Sequence, residues 1–60
     1  MLTKERMVKI MEIIHKNTFV SVKELTDELQ VSRSSIVRDL IDLENQGLIK
    51  RERGGASLLN

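Results

Sequence analysis

Val31-Ser32-Arg33-Ser34-Ser35-Ile36-Val37-Arg38-Asp39-Leu40 reads as a tight turn, a helix cap and the start of a helix with two unlike faces. Ser32 is a good N-cap, because its hydroxyl can accept a hydrogen bond from an otherwise unpaired amide of the first turn. From Arg33 the helical pattern continues to about Gln46, where Gly47 supplies the stop. Ile36, Leu40 and Leu43 recur at helical spacing, so they share a buried face. At about 100° per residue, Ser34, Ser35, Arg38 and Asp42 fall on the other side. The outward face therefore leads with short hydroxyl side chains and an arginine, slim enough to enter a groove and furnished with donors.

Upstream, Ser21-Val22-Lys23-Glu24 has the serine and glutamate spacing of a capping box, which starts a second, short helix. Leu25 and Leu29 form its buried spine with Val22 below, and it ends near Gln30. Two helices joined this closely, with Val31 between them, make a helix-turn-helix over about 20–39, and the second helix covers about 33–46. Phe19-Val20-Ser21 before them reads as a short strand or extended link. Further upstream, Thr3 is placed to cap a first helix, and Glu5 suits the positive end of its dipole. Met7, Ile10, Met11 and Ile14 form that helix's apolar stripe, which ends at about His15 or Lys16 before Asn17-Thr18. The methionines read as core filling rather than ligands, and the lone His15 as a solvated helix-end residue.

Downstream, Leu48-Ile49-Lys50-Arg51-Glu52-Arg53 reads as a strand. Gly54-Gly55 signals a turn, with Ala56-Ser57-Leu58-Leu59 returning antiparallel. A hairpin at about 48–59 after such a helix is a wing. Two glycines at its tip would let backbone amides approach a phosphate. The expected fold is mainly α with a small β part (α+β): a three-helix winged helix-turn-helix filling residues 1–60 as a single domain.

Composition narrows what this fold can do. A chain of 60 residues buries only about 60% of the surface its unfolded form exposes, which leaves a thin core. With no cysteine, disulfides and thiolate metal sites are excluded, in keeping with a cytoplasmic protein. The apolar runs are far shorter than a membrane span or a signal-peptide core, so a soluble chain in its mature form, without membrane partners, is expected. Net charge is only +1, but it is unevenly spread. Lys23 to Glu28 is net acidic, whereas Lys50-Arg51-Glu52-Arg53 is net basic and Arg33 and Arg38 add to the third helix. If these basic regions meet, a local cationic patch exists despite the neutral total. Phe19 is the sole aromatic, which disfavours stacking platforms for single strands or RNA. No nucleophile–base pair, metal cluster or phosphate loop is present, so neither catalytic residues, metal nor cofactor are expected.

The chain resembles the N-terminal winged helix-turn-helix domain of the DeoR family of bacterial transcription regulators. The resemblance rests on Arg6, Ile10 and Ile14; on Ser21-Val22-Lys23-Glu24-Leu25 and Val31-Ser32; on Ile36, Arg38, Asp39 and Leu40; on Leu43-Glu44, Gly47-Leu48 and Arg51; and on Gly54-Gly55-Ala56. It covers nearly the whole chain. Ser35 stands where the family usually has threonine, Val37 where it has arginine or histidine, Arg53 where it has histidine, and Gln30 where it has the turn glycine. The loss at Val37 removes a cation and adds apolar surface beside Ile36 and Ile41. The resemblance implies a repressor of sugar-metabolism genes that binds double-stranded operator DNA. It also implies a homo-oligomeric intact protein whose sugar-phosphate effector binds a further domain, which these residues cannot hold.

On this reading the third helix enters the major groove, led by Arg33, Ser34 and Ser35. Arg38 behind them is placed for a bidentate guanine contact or a phosphate contact. Ser21 and Lys23 would hold phosphate at the start of the second helix. Lys50, Arg51 and Arg53 would hold the flanking backbone or reach the minor groove. Asp39 should pair with a nearby cation, while Asp42 and Asn45 lie at the groove rim. Two rivals stay open: a winged-helix module that binds protein, favoured by an apolar Val37–Ile41 patch without basic surface near it, and the DNA-binding lobe of a biotin ligase-repressor.

Overall fold

The computed structural model describes residues 2–59 and gives the order α1 (Thr3–Asn17), β1 (Phe19–Ser21), α2 (Val22–Leu29), α3 (Arg33–Asn45), β2 (Ile49–Glu52) and β3 (Gly55–Leu58). Each helix boundary has a local cause. At α2, the Ser21 hydroxyl accepts from the Glu24 amide, and the Glu24 carboxylate accepts from the Ser21 amide, both at 3.0 Å. The box read from the sequence is thus formed in full. At α3, the Ser32 hydroxyl accepts from the Ser35 amide at 3.3 Å. This helix stops at Gly47, whose φ of 78° allows two closing bonds: Gly47 N–H to Glu44 O at 2.9 Å and Leu48 N–H to Leu43 O at 3.1 Å. That pair is the Schellman arrangement, which satisfies carbonyls left open at a helix end.

At α1 the expected cap is corrected. Thr3 is the first helical residue and Leu2 precedes it as the cap position. Leu2 has no side-chain acceptor; instead its backbone amide donates to the Glu5 carboxylate at 3.1 Å. The helix also runs to Asn17, slightly beyond the expected end, before Thr18 turns the chain with a φ of 70°.

The sheet departs from the expected two-stranded hairpin. It has three antiparallel strands in the order β1-β3-β2, so Phe19–Ser21 is a full member. Residue pairs Val20↔Ala56↔Arg51 and Ile49↔Leu58 lie on the face toward the helices, and Phe19↔Ser57↔Lys50 on the outer one. Ile10, Ile14, Val20, Leu25, Ile36, Leu40, Ile49 and Ala56 are each at most 1% exposed and form one core between the sheet and all three helices.

The wing turn is also corrected. Only Arg53 and Gly54 form its tip, because Gly55 already pairs with Glu52 and Ser21 in the sheet. Gly54 takes a φ of 78°, which favours glycine. Gly55 is glycine for a different reason. A β-carbon there would lie 2.2 Å from the Val20 carbonyl oxygen and 2.9 Å from Phe19 Cζ. It serves close strand packing beneath the Phe19 ring, so the expectation of two phosphate-approaching glycines reduces to Gly54 alone. The Gly54 carbonyl in turn accepts from the Val22 amide at 2.8 Å, which fastens the wing tip to the first turn of α2. Among the described residues, no helix is long and apolar enough to cross a membrane.

Candidate nucleic-acid interface

The orientation of α3 is set from below by an ion pair. Asp39 is 2% exposed on the buried side of the helix, and it receives two hydrogen bonds from Arg6 of α1. Arg6 Nε donates to Oδ2, and Nη2 donates to Oδ1 at 3.0 Å. A planar guanidinium facing both carboxylate oxygens fixes angle as well as distance. The hydrogen bond to Asp39 raises the Arg6 pKa above its ordinary value, with their Coulomb attraction adding to it and burial opposing. The Arg6 guanidinium therefore stays charged against the carboxylate it faces. The pair also hides a carboxylate that would otherwise oppose the cations on the outer face of the same helix.

A second carboxylate is neutralised at the wing side. Glu44 accepts from Arg51 Nε at 3.0 Å and from the Arg51 backbone amide at 3.3 Å. These bonds, side chain first, lower the Glu44 pKa below its ordinary value. They also commit Arg51, expected to hold the flanking DNA backbone or reach the minor groove, to an intramolecular partner. Neither partner was identifiable from the sequence. Arg6 and Glu44 were visible only as positions in a family pattern, and the Arg6 contact spans 33 residues.

The remaining proposed residues are placed as follows. Ser34 and Arg38 are exposed on α3. Ser35 is half-buried, with its hydroxyl 3.0 Å from that of Ser32, while the Ser34 hydroxyl lies 3.2 Å from the same oxygen. Arg33, Ser34, Val37, Arg38 and Ile41 line one shallow surface of α3. Arg33 and Val37 also line a groove shared with Arg51, Glu52, Arg53 and Gly54 of the wing, so one carboxylate stands among its cations. The leading end of α3 and the wing tip thus border a continuous surface, with Arg33 common to both parts. Arg33, Arg38, Lys50 and Arg53 form no ion pair among the described residues.

Other members of the expected set are more remote or more engaged. Lys50 lies on the outer face of the sheet, opposite to Arg51 in the strand's alternation. The Ser21 hydroxyl accepts from the Glu24 amide, which leaves its hydrogen and a second lone pair unused by that bond. Lys23 is exposed and pairs with Asp27 at 3.2 Å across one helical turn. Asp42 and Asn45 are exposed, and Asp42 accepts from Gln46 at 3.5 Å. Among the described residues, no group of three or more His, Cys, Asp or Glu side chains is arranged to hold a metal.

Three helices, a left-handed turn before the third, and a β-hairpin packed beside it define a winged helix-turn-helix domain. The chain belongs to the DeoR-like helix-turn-helix domain family, whose pattern matches residues 6–60. It is 45% identical over 56 residues to the HTH-type transcriptional regulator GlpR of Haloferax volcanii, a match covering 93% of this chain and 22% of that protein. It is 40% identical over 57 residues to the lactose phosphotransferase system repressor of Lactococcus lactis, covering 95% and 22% respectively. With the HTH-type transcriptional regulator FruR of Bacillus subtilis it shares 43% identity over 60 residues, covering 100% and 24%. The chain therefore spans less than a quarter of the length of these relatives. No solved structure matches it.

Proposed function

We propose that this chain binds double-stranded DNA sequence-specifically, as the DNA-binding domain of a transcriptional regulator. The observation that carries the reading is Arg33, which borders both the Ser34–Arg38 surface of α3 and the Arg51–Arg53 groove of the wing. A helix led by serines and guanidinium groups enters a major groove, and wing cations beside it reach the flanking backbone. Burying Asp39 and pairing Glu44 with Arg51 removes two opposing charges from that approach. Arg38 is the candidate for guanine, Ser34 and Arg33 for adjacent base edges or phosphate, and Arg53 for phosphate, with Lys50, on the outer face of the sheet, limited to outlying backbone. Ser35, Ser21 and Lys23 hold supporting positions at the two helix starts. Arg51 contributes less, because contact with phosphate has to compete with Glu44.

The names of several relatives include repressors, among them one of a lactose phosphotransferase system and the GlcR repressor of Bacillus subtilis. On that basis we assign the intact regulator to repression of sugar-metabolism genes in the cytoplasm. There a separate domain senses a sugar phosphate and pairs the subunits. Two domains on half-sites about one helical turn apart then gain affinity that one domain lacks.

Titration with duplex DNA, followed by amide chemical shifts at several salt concentrations, tests the reading. Arg38→Ala should weaken binding to a preferred duplex by about 1–3 kcal/mol. Arg53→Ala should weaken all duplexes alike and reduce the salt slope by about 0.9. Duplex binding that is unmoved by both substitutions would remove α3 and the wing as the interface.

A further inference from the structure

The outer face of α3 carries an apolar feature that cations alone do not explain. Val37 and Ile41 stand one helical turn apart; Val37 is half-buried, its inner side packed on the core, and Ile41 is 39% exposed. Together with the stems of Arg33 and Arg38 and with Ser34 they line a shallow, almost wholly apolar surface. No described residue covers it. Arg33 and Arg38 both border the patch, which continues, through Arg33 and Val37, into the wing groove. Basic groups border it, which fits a polyanion above it better than the apolar face of another protein.

We propose that Val37 and Ile41 form a thymine-reading contact: they pack on the C5 methyl of a thymine beside the base met by Arg38. This rests on the duplex-binding reading above and narrows it to operators with an A·T pair at that step. The chemistry leaves one candidate. A duplex offers the outer face of α3 phosphate oxygens, base-edge donors and acceptors, and a single apolar group in the major groove, the thymine methyl. Valine and isoleucine side chains have no donor or acceptor, and the methyl is the base-edge group that returns most free energy for their desolvation. Phosphate contacts by Arg33 and by Arg53 of the wing fix the height of the helix above the base pairs. The branched side chains then reach the methyl without a polar group being buried unpaired.

The test uses a duplex enriched from a random pool by this chain, made once with thymine and once with deoxyuridine at each position in turn. Deoxyuridine keeps the pairing and removes only the methyl. At one position the loss should be about fourfold, the value for one buried methyl-sized group. Val37→Ala should shrink that loss, whereas Arg38→Ala should lower affinity for both duplexes and leave their ratio unchanged. A nuclear Overhauser contact between a Val37 methyl and a thymine methyl should appear in the wild-type complex. Equal affinity for thymine and deoxyuridine duplexes at every position would overturn the methyl contact while leaving duplex binding intact, and would return the patch to a protein partner. Absence of binding to any duplex would overturn the functional reading and the thymine contact together.

Discussion

Gln30 carries an ordinary side chain at a φ of 55°, between α2 and α3. The left-handed region costs a residue with a β-carbon about 1–2 kcal/mol. The Gln30 amide closes α2 by donating to Thr26 O at 2.8 Å, a backbone bond that glycine at this position would keep. Gln30→Gly should therefore stabilise the domain by up to about 1 kcal/mol, after the extra freedom that glycine gives the unfolded chain is subtracted. A gain of about 1 kcal/mol corresponds to a melting temperature some 4–8 °C higher for a domain of this size, readable by circular dichroism. Gly55 is the opposite case. The atom in its way is the Val20 carbonyl oxygen, a backbone atom that moves only if the strand moves. Gly55→Ala should cost about 3 kcal/mol or more, whereas Gly54→Ala, with open space around it but a φ of 78°, should cost about 1–2 kcal/mol. Equal melting temperatures for the two variants would contradict this division of roles between adjacent glycines.

At the scale of the elements, what the sequence made legible was what local chemistry decides. Ser21 with Glu24, and Ser32 before Arg33, are caps whose partners lie within three residues, so α2 and α3 start where their sequence places them. Gly47 ends α3 for an equally local reason. Thr3 was misplaced because the Glu5 carboxylate reaches the Leu2 backbone, a bond that needs no hydroxyl at the cap. β1 remained ambiguous because Phe19-Val20-Ser21 becomes a strand only by pairing with residues 55–57, far away in sequence. The same limit applied to the site. The outward face of α3 could be read from periodicity, but the partners of Asp39 and Arg51 could not. The Arg51–Glu44 bond between α3 and β2 has a measurable signature. Bonding to Arg51 lowers the Glu44 pKa from 4.5, so the folded state releases the proton more readily than the unfolded one. The pair's contribution is then fully present above that ordinary value and lost as pH falls through the lowered one. Thermal melts between pH 6 and about pH 3 should show Glu44→Gln losing less stability on acidification than the wild type. Because the pair is exposed, the difference should shrink at high salt.

For the whole molecule, the Arg6–Asp39 pair matters more than its size implies. A domain of 60 residues has only about 3–9 kcal/mol of stability in total. Breaking a fully buried pair by removing one partner costs about 3–5 kcal/mol; Arg6 is 13% exposed, so the cost here falls toward the lower end. Asp39→Ala or Arg6→Ala should thus leave much of the chain unfolded at 37 °C, with collapsed amide dispersion. The double variant Arg6→Met/Asp39→Leu, which removes both charges, should recover most of the loss. If the double variant folds but its α3 has turned relative to α1, duplex binding will fall although stability does not, separating alignment from cohesion. A further property follows from the bond between the Val22 amide and the Gly54 carbonyl. It ties the hairpin tip to the first turn of α2, so the wing is held beside the helix-turn-helix before any ligand arrives. A wing held in this way shifts part of the fitting to the groove of the nucleic acid. Easily deformed base steps would then be favoured over stiff ones even where no side chain touches a base.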